Sequence, residues 1–421
     1  GYKAYWDDGA QMIAPHDRNT IAEVNQIRNA GEIKFKGNKS LIEVIGKEMD
    51  QRYINDLTTI SLSPESIARH KDMKIVYTPI HGTGVEIVPA ALKAFGFTNI
   101  IHVPEQDIVS GDFPTVISPN PEEPAALAMA VQRAKDTDAE LVLATDPDAD
   151  RVGAAVKNNE GEWVLLNGNQ TALMFVYYLI TRWKELGKIK GNEYIVKTIV
   201  STELIRTIAE RNGVELYDVY TGFKWIAAIM KDNEGKKTFI GGGEESYGFL
   251  CEDFVRDKDA VSACTMLAET AAWAKDKGLT LYQLLQNIYV EYGFSKEAGI
   301  SVVKKGKSGA EEIEAMMKHF RENPLTQIAG SNVTYVYDYA TLKGLSVAEN
   351  EKITLDMPTT SNVIQYFTED NTKVSIRPSG TEPKIKFYCE VHSKVKNLEE
   401  LPAAELAAQE KINQIKISLG I

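Results

Sequence analysis

Cysteine is scarce in this chain. Of 421 residues only Cys251, Cys264 and Cys389 are cysteines, odd in number and without C-x-x-C spacing. That excludes a disulfide-built scaffold and a zinc site, and it suits reduced thiols in a cytoplasmic protein. Basic charge is also short, with 47 Lys and Arg against 59 Asp and Glu and a net charge of −12. No nucleic acid is expected as a partner, because phosphate backbones demand a basic face. A small anionic substrate stays compatible, since a local Arg/Lys pocket can sit in an acidic protein. Long hydrophobic runs are absent as well. Nothing approaches the ~20 apolar residues that span a bilayer, so no membrane partner is expected, and "TALMFVYYLITRW" reads as a buried helix. No signal peptide is evident, although the chain opens on Gly1 rather than Met, which leaves its true beginning open.

What is present is ordinary globular composition, 43% hydrophobic and 25% charged, in a chain too long for one core. Two stretches share a pattern. "KIVYTPIHGTGVEIVPAALKAFGFTNIIHV" runs strand, Gly-rich loop, amphipathic helix, strand, and "EYIVKTIVSTELIRTIAERNGVELYDVY" repeats the order. In each, a further helix and strand follow, ending in an acidic loop: Thr145-Asp-Pro-Asp-Ala-Asp-Arg151 in the first, Gly242-Gly-Glu-Glu-Ser-Tyr-Gly248 in the second. Alternation of period-two and period-3.6 runs predicts repeated α/β layers, an internal duplication with its special loops in equivalent places. Loops leaving strand ends in such sheets are where ligands bind. The last stretch differs: "NVIQYFT", "TKVSIR" and "KIKFYCEV" are strands joined by short turns, closed by a helix from about 399 to 419. It predicts an antiparallel α+β domain. The expected divisions are 1–58, the rear part of a truncated first α/β domain; 59–165 and 166–300, two α/β domains; and 301–421. A hinge is expected within "KKGKSGAEEIEAMMKHF".

Three loops carry chemistry. Asp146, Asp148 and Asp150 place three hard oxygen donors on one tight turn, where each pair repels by about 4 kcal/mol near a protein surface. A divalent cation converts that repulsion to attraction. The EF-hand pattern fails, with Arg151 at position six and Lys157 at position twelve. Few carboxylates with open positions suit Mg²⁺. Arg377-Pro-Ser379-Gly380-Thr381-Glu-Pro383 offers a planar fork, two hydroxyls and a glycine, a phosphate cradle without a Walker lysine. Glu244 and Ser246 suit vicinal sugar hydroxyls, with a capping box as the plainer alternative. Thr221 and Gly222 open either a substrate loop or a simple turn. Lys258 stands in "RDKDA", where Asp257 or Asp259 is also suited to capping the next helix.

Metal loop, sugar loop and phosphate loop, in this order, resemble those of the α-D-phosphohexomutases: phosphoglucomutase, phosphomannomutase and phosphoglucosamine mutase. The resemblance implies repeated mixed-sheet α/β domains plus a C-terminal antiparallel α+β domain around one cleft. It implies Asp146, Asp148 and Asp150 as Mg²⁺ ligands, with Arg151 beside them. Glu244 and Ser246 are implied on the sugar, and Arg377, Ser379, Gly380 and Thr381 on the phosphate. Lys258 matches an active-site lysine, although Ala260 stands where Gly is usual. The implied reaction moves phosphate between O1 and O6 of a hexose phosphate through a phosphoserine. Glucose 1,6-bisphosphate serves as intermediate or activator, and Lys3 or Lys258 assists proton transfer or screens charge.

The family's serine loop, T-A-S-H-N-P, is absent, and "GYKAYW" resembles the segment N-G-x-K that follows it, with Lys3 at the lysine. The serine is therefore expected upstream of Gly1 and the chain as given is expected to be inactive. The Glu-Glu-Ser-Tyr loop is closer to phosphoglucomutases than the G-E-M-S-G-H of phosphomannomutases, which favours glucose phosphates, with mannose second. A pentose or aminosugar mutase, and a non-catalytic binding fragment, are the alternatives. Monomer and homodimer are both compatible.

Overall fold

The computed structural model describes residues 3–304, 306–380 and 383–421, apart from the Lys307 side chain. The chain divides into two compact units, Gly1–Thr198 with Ile208–Leu284, and Ile199–Thr207 with Leu285–Ile421.

The first unit opens with α1 (His16–Val24) and α2 (Lys47–Thr58), with no strand between them among the described residues. Then come α3 (Pro64–Arg69), β1 (Ile75–Thr78), α4 (Gly84–Phe95), β2 (Ile100–His102), α5 (Pro124–Thr137), β3 (Leu141–Thr145), β4 (Val152–Lys157) and β5 (Trp163–Leu166). Strands β1 and β3 are buried at every position, as expected of parallel strands covered on both faces. The sheet order is β2-β1-β3-β4-β5, parallel from β2 to β3 and antiparallel beyond. Next follow α6 (Gly168–Glu185), opened by an Asn167–Gln170 capping box, β6 (Glu193–Thr198), α7 (Leu204–Arg211, whose start through Thr207 falls to the second unit), β7 (Glu215–Val219), α8 (Phe223–Asn233), β8 (Thr238–Gly243) and β9 (Phe249–Cys251). Their sheet runs β7-β6-β8-β9, again parallel to the third strand and antiparallel at the fourth. The two sheets share one topology, as the duplicated sequence pattern predicts. The metal loop joins β3 to β4 and the sugar loop joins β8 to β9.

Helix α9 (Ala260–Asp276) explains how both loops are held. Its run "AVSACTMLAETAAWA", rich in Ala, Ser and Thr, is buried throughout, and it packs against α3, α4, α6, β3, β4 and β9. Small side chains permit that close approach on all sides, and the helix start is thereby fixed beside the loops.

The second unit takes α10 (Leu281–Tyr292) for the most part, β10 (Phe294–Val303), α11 (Gly306–Glu322), β11 (Gln327–Ile328), β12 (Ser331–Asp338), β13 (Lys343–Ser346), β14 (Glu351–Thr354), β15 (Ile364–Thr368), β16 (Lys373–Pro378), β17 (Lys384–Ser393) and α12 (Leu401–Leu419). Its antiparallel sheet runs β10-β17-β16-β15-β12-β13-β14, with β11 paired to β12. Val374, Ile376, Ile385 and Phe387 are fully buried in it. The expected hinge is a correction: residues 306–322 form a helix of this unit, because Ile313, Met317 and Phe320 recur at helical spacing and are buried. Residues 199–207 belong to this unit through polar bonds. Buried Lys373 donates to the Ser201 carbonyl at 2.6 Å and to Glu203 at 2.7 Å, while Glu390 accepts from Thr202 Oγ1 at 2.7 Å.

Candidate active site

In the first unit the metal loop is a tight turn shaped by its own first aspartate. Asp146 Oδ1 accepts from the backbone N–H groups of Asp150 and Arg151, both at 3.0 Å, and Ala149 takes a left-handed φ of 56°. One carboxylate oxygen from each of Asp146, Asp148 and Asp150 lies within 4.8 Å of the others. Burial, with Asp150 beside it, pushes the Asp146 carboxyl up to about 7. Asp150 is shifted down against its own burial, because Lys258 and Lys3 face it. Three hard oxygens forced together at a cost in repulsion are the donor set that a small divalent cation needs.

Positive charge gathers on the same carboxylates. Lys258 Nζ lies 2.7 Å and Lys3 Nζ 2.5 Å from Asp150 Oδ2, and Lys3 reaches Asp148 at 3.3 Å. Arg151 stands farther off, 3.7 Å from Asp146 and from Glu122 and 3.8 Å from Asp150. Burial opposes the charge on Lys3, yet the hydrogen bond and attraction of Asp150 raise its pKa. Tyr5 donates to Asp257 at 2.6 Å, and its hydroxyl is pushed up to about 12 by burial and that bond.

The sugar loop lies alongside. Lys258 crosses it close to Gly248, where a Cβ would stand 2.5 Å from Lys258 Cδ. Glu244 Oε1 accepts from the Gly222 N–H at 2.6 Å, which joins the Thr221-Gly222 turn to this loop. Burial and the neighbouring Glu245 charge raise the Glu244 carboxyl. The Ser246 hydroxyl turns to Glu245 at 3.1 Å. Asp259 is the helix cap, accepting from Val261 N at 2.9 Å. Lys3, Arg151, Lys258, the three aspartates, Glu244, Ser246, Thr221 and Gly222 thus all belong to the first unit, with ion pairs or backbone bonds linking most of them.

The phosphate loop belongs to the second unit. It connects β16 to β17, closed by Ser379 N donating to the Lys384 carbonyl at 2.7 Å. Arg377 lies on β16, half-buried, and a Cβ on Gly380 would meet nothing within 4 Å. Thr381 lies outside the described residues. Pro378, Ser379, Gly380 and Pro383 line a cavity of about 1150 Å³, and its lining also includes Arg321 from α11. Arg321 is bonded to Asp338 at 3.1 Å and to Asn362 at 2.5 Å. Sequence reasoning passed over Arg321 because one arginine in a charged helix carries no motif. It also passed over Tyr5, and took Asp257 only as a possible helix cap; the two meet across 252 residues of chain.

Sequence models of the phosphoglucomutase/phosphomannomutase family match three parts of the chain: α/β/α domain II over residues 51–161, α/β/α domain III over 167–292, and the C-terminal domain over 332–408. A phosphoglucomutase from Staphylococcus haemolyticus (strain JCSC1435) is 34% identical over 406 residues, 95% of this chain and 72% of that protein. A second, from Staphylococcus aureus (strain MRSA252), is 35% identical over 392 residues, covering 92% and 69%. Among solved structures, a putative phosphomannomutase from Thermus thermophilus superposes with a TM-score of 0.57 at 19% identity, covering 86% of this chain and 66% of that one. The Paramecium phosphoprotein pp63/parafusin, in its open form, gives 0.58 at 16% identity, covering 89% and 63%. The chain therefore spans just under two thirds of the length of these solved structures. At such identities they show the fold, and the curated relatives with the matched domain models show the kinship: the chain belongs to the phosphoglucomutase/phosphomannomutase family, the α-D-phosphohexomutases.

Proposed function

We propose that these residues serve an intramolecular phosphotransferase that interconverts hexose 1-phosphate and hexose 6-phosphate, glucose first and mannose second. The observation that carries the reading is the grouping of three aspartate carboxylates with Lys3, Lys258 and Arg151 beside the Glu244 loop. Asp146, Asp148 and Asp150 would hold Mg²⁺. Bound there, the ion would neutralise charge on a transferring phosphoryl group. Glu244 and Ser246, with the Thr221-Gly222 turn, are suited to gripping sugar hydroxyls. Arg377, Ser379 and Gly380 are suited to the phosphate that is not transferred, through the planar fork, hydroxyl and accessible backbone that such a group needs. Lys258 and Lys3 already screen Asp150, so either can steady negative charge or donate a proton near the metal loop.

The family's phosphoryl donor, a serine in T-A-S-H-N-P, has no counterpart in this sequence. Residues 1–421 are expected to bind hexose phosphate without turning it over. A coupled assay from glucose 1-phosphate to glucose 6-phosphate tests this directly. No activity, with glucose 1-phosphate still bound in calorimetry, is the expected result; robust turnover by these residues would contradict it. In a protein that carries the serine, kcat/KM should rank glucose above mannose, and both above glucosamine and ribose 1-phosphates. A ribose or glucosamine preference would overturn the sugar assignment.

A further inference from the structure

The turn after β1, Pro79-Ile80-His81-Gly82-Thr83, is strained, buried for most of its length and unassigned. Ile80 and His81 take φ of 47° and 64°, two consecutive left-handed residues neither of which is glycine. Such positions are costly for residues that carry a Cβ and persist only where the surroundings over-determine them. Here they do. Both residues are buried. His81 N donates to the Gln106 carbonyl at 2.9 Å. Its ring Nδ1 lies 2.8 Å from the Ile108 carbonyl and Nε2 2.8 Å from Thr115 Oγ1. Gln106 in turn accepts from Thr78 Oγ1 at 2.7 Å and donates to Thr115 at 3.2 Å.

What the strained turn delivers is a grip on the metal loop. Thr83 sends both its backbone N–H, at 2.9 Å, and its hydroxyl, at 3.1 Å, to the Pro147 carbonyl. Gly82 lies so close that a Cβ there would stand 2.4 Å from Pro147 Cα. Pro147 separates Asp146 from Asp148, so holding its carbonyl restricts how those two carboxylates are turned. The far side of the loop is held too: Ala260 N, at the start of α9, donates to the Ala149 carbonyl at 3.0 Å, and Val152 N donates to Tyr247 at 3.0 Å.

We infer that Thr83 is a positioning residue for the metal loop, gripping Pro147 so that the three carboxylates stand in ligand geometry before a cation arrives. This rests on the proposed metal site, and it concerns a residue outside the proposed ligands themselves. Thr83 is exposed, so Thr83→Val leaves the core intact.

Mn²⁺ is titrated into the parent, Thr83→Val, Thr83→Ser and Gly96→Ala, with free Mn²⁺ read by electron paramagnetic resonance and melting followed in parallel. Outer partners of metal ligands typically change affinity by about tenfold or more. One of two bonds to the carbonyl is removed here, so Thr83→Val should weaken Mn²⁺ binding about three- to tenfold, and Thr83→Ser should restore it. Gly96→Ala strains a left-handed helix end away from the loop (φ 115°); it should lower the melting temperature and leave Mn²⁺ affinity unchanged. Parent-like binding by Thr83→Val overturns the inference. So does a Ser variant as weak as Val, or a loss in Gly96→Ala equal to that in Thr83→Val. A parent that binds no Mn²⁺ overturns the metal site itself, and this inference with it.

Discussion

Asp276 and Asp146 show how differently one side-chain type behaves within a single unit. Asp276, at the end of α9, accepts from Arg69 Nε at 2.9 Å and from Ser66 at 2.5 Å, with His70 Nε2 at 2.9 Å. The Arg69 bond foremost, opposed by burial and aided by Ser66 and His70, holds its carboxyl well below the ordinary 3.8. A depressed folded pKa means stability that is present above the unfolded value and lost as pH falls through the folded one. Asp276→Asn should therefore lower the melting temperature by a few degrees at pH 7, and the gap to the parent should close only in strong acid. A gap that widens as pH drops from 7 to 3 would contradict the assignment. Asp146 lies on the opposite side, raised by burial and by its neighbour Asp150. One carboxylate is satisfied by a partner cation, while the other is left crowded among carboxylates.

At the scale of elements, α9 anchors the first unit. Glu269, wholly buried at its centre, accepts four bonds: Ser61 Oγ at 2.5 Å, Leu62 N at 2.7 Å, Ser63 N at 2.9 Å and Tyr178 OH at 2.6 Å. Glu269→Ala removes the acceptor of all four bonds, leaving Tyr178 only Ser63 Oγ at 2.7 Å, and should destabilise by about 3–5 kcal/mol. Glu269→Gln keeps an acceptor oxygen and should cost about half as much. Urea denaturation midpoints check this, and an Ala variant within ~0.5 kcal/mol of the parent would refute it. The elements of the first α/β sheet were legible in the sequence because "IVYT" and "LVLAT" are short, mostly apolar runs and the helices between them repeat at 3.6 residues. The bonds of Glu269 were not legible, since its partners lie 91 to 208 residues away and no local pattern marks them. Helix α11 was mistaken for a hinge because its Gly and Lys content at the start outweighs three buried apolar positions farther on.

At the scale of the molecule, the sequence marks the candidate loops and the structure supplies the bonds within each unit. Asp146, Asp148 and Asp150 were legible because a tight turn needs no distant information. The attachment of Lys258 to Asp150, across 108 residues of chain, and the closure of Gly222 on Glu244 required the fold. Thr83 belongs to the same class: "HGTG" marks a glycine-rich loop, but only the packing of β1 beside β3 brings it to Pro147. The repeated sheet topology gives the reason these two acidic loops recur at equivalent strand ends, one between β3 and β4 and the other between β8 and β9.

The central claim is that the three aspartates form a divalent-cation site, and Mn²⁺ titration of Asp148→Asn against the parent tests it most directly. The Asp148 side chain is 64% exposed, so the variant should fold and melt as the parent does. The account predicts one Mn²⁺ per parent chain and binding weakened at least about tenfold in the variant. Equal affinity in the two proteins, or no saturable site in the parent, would contradict it.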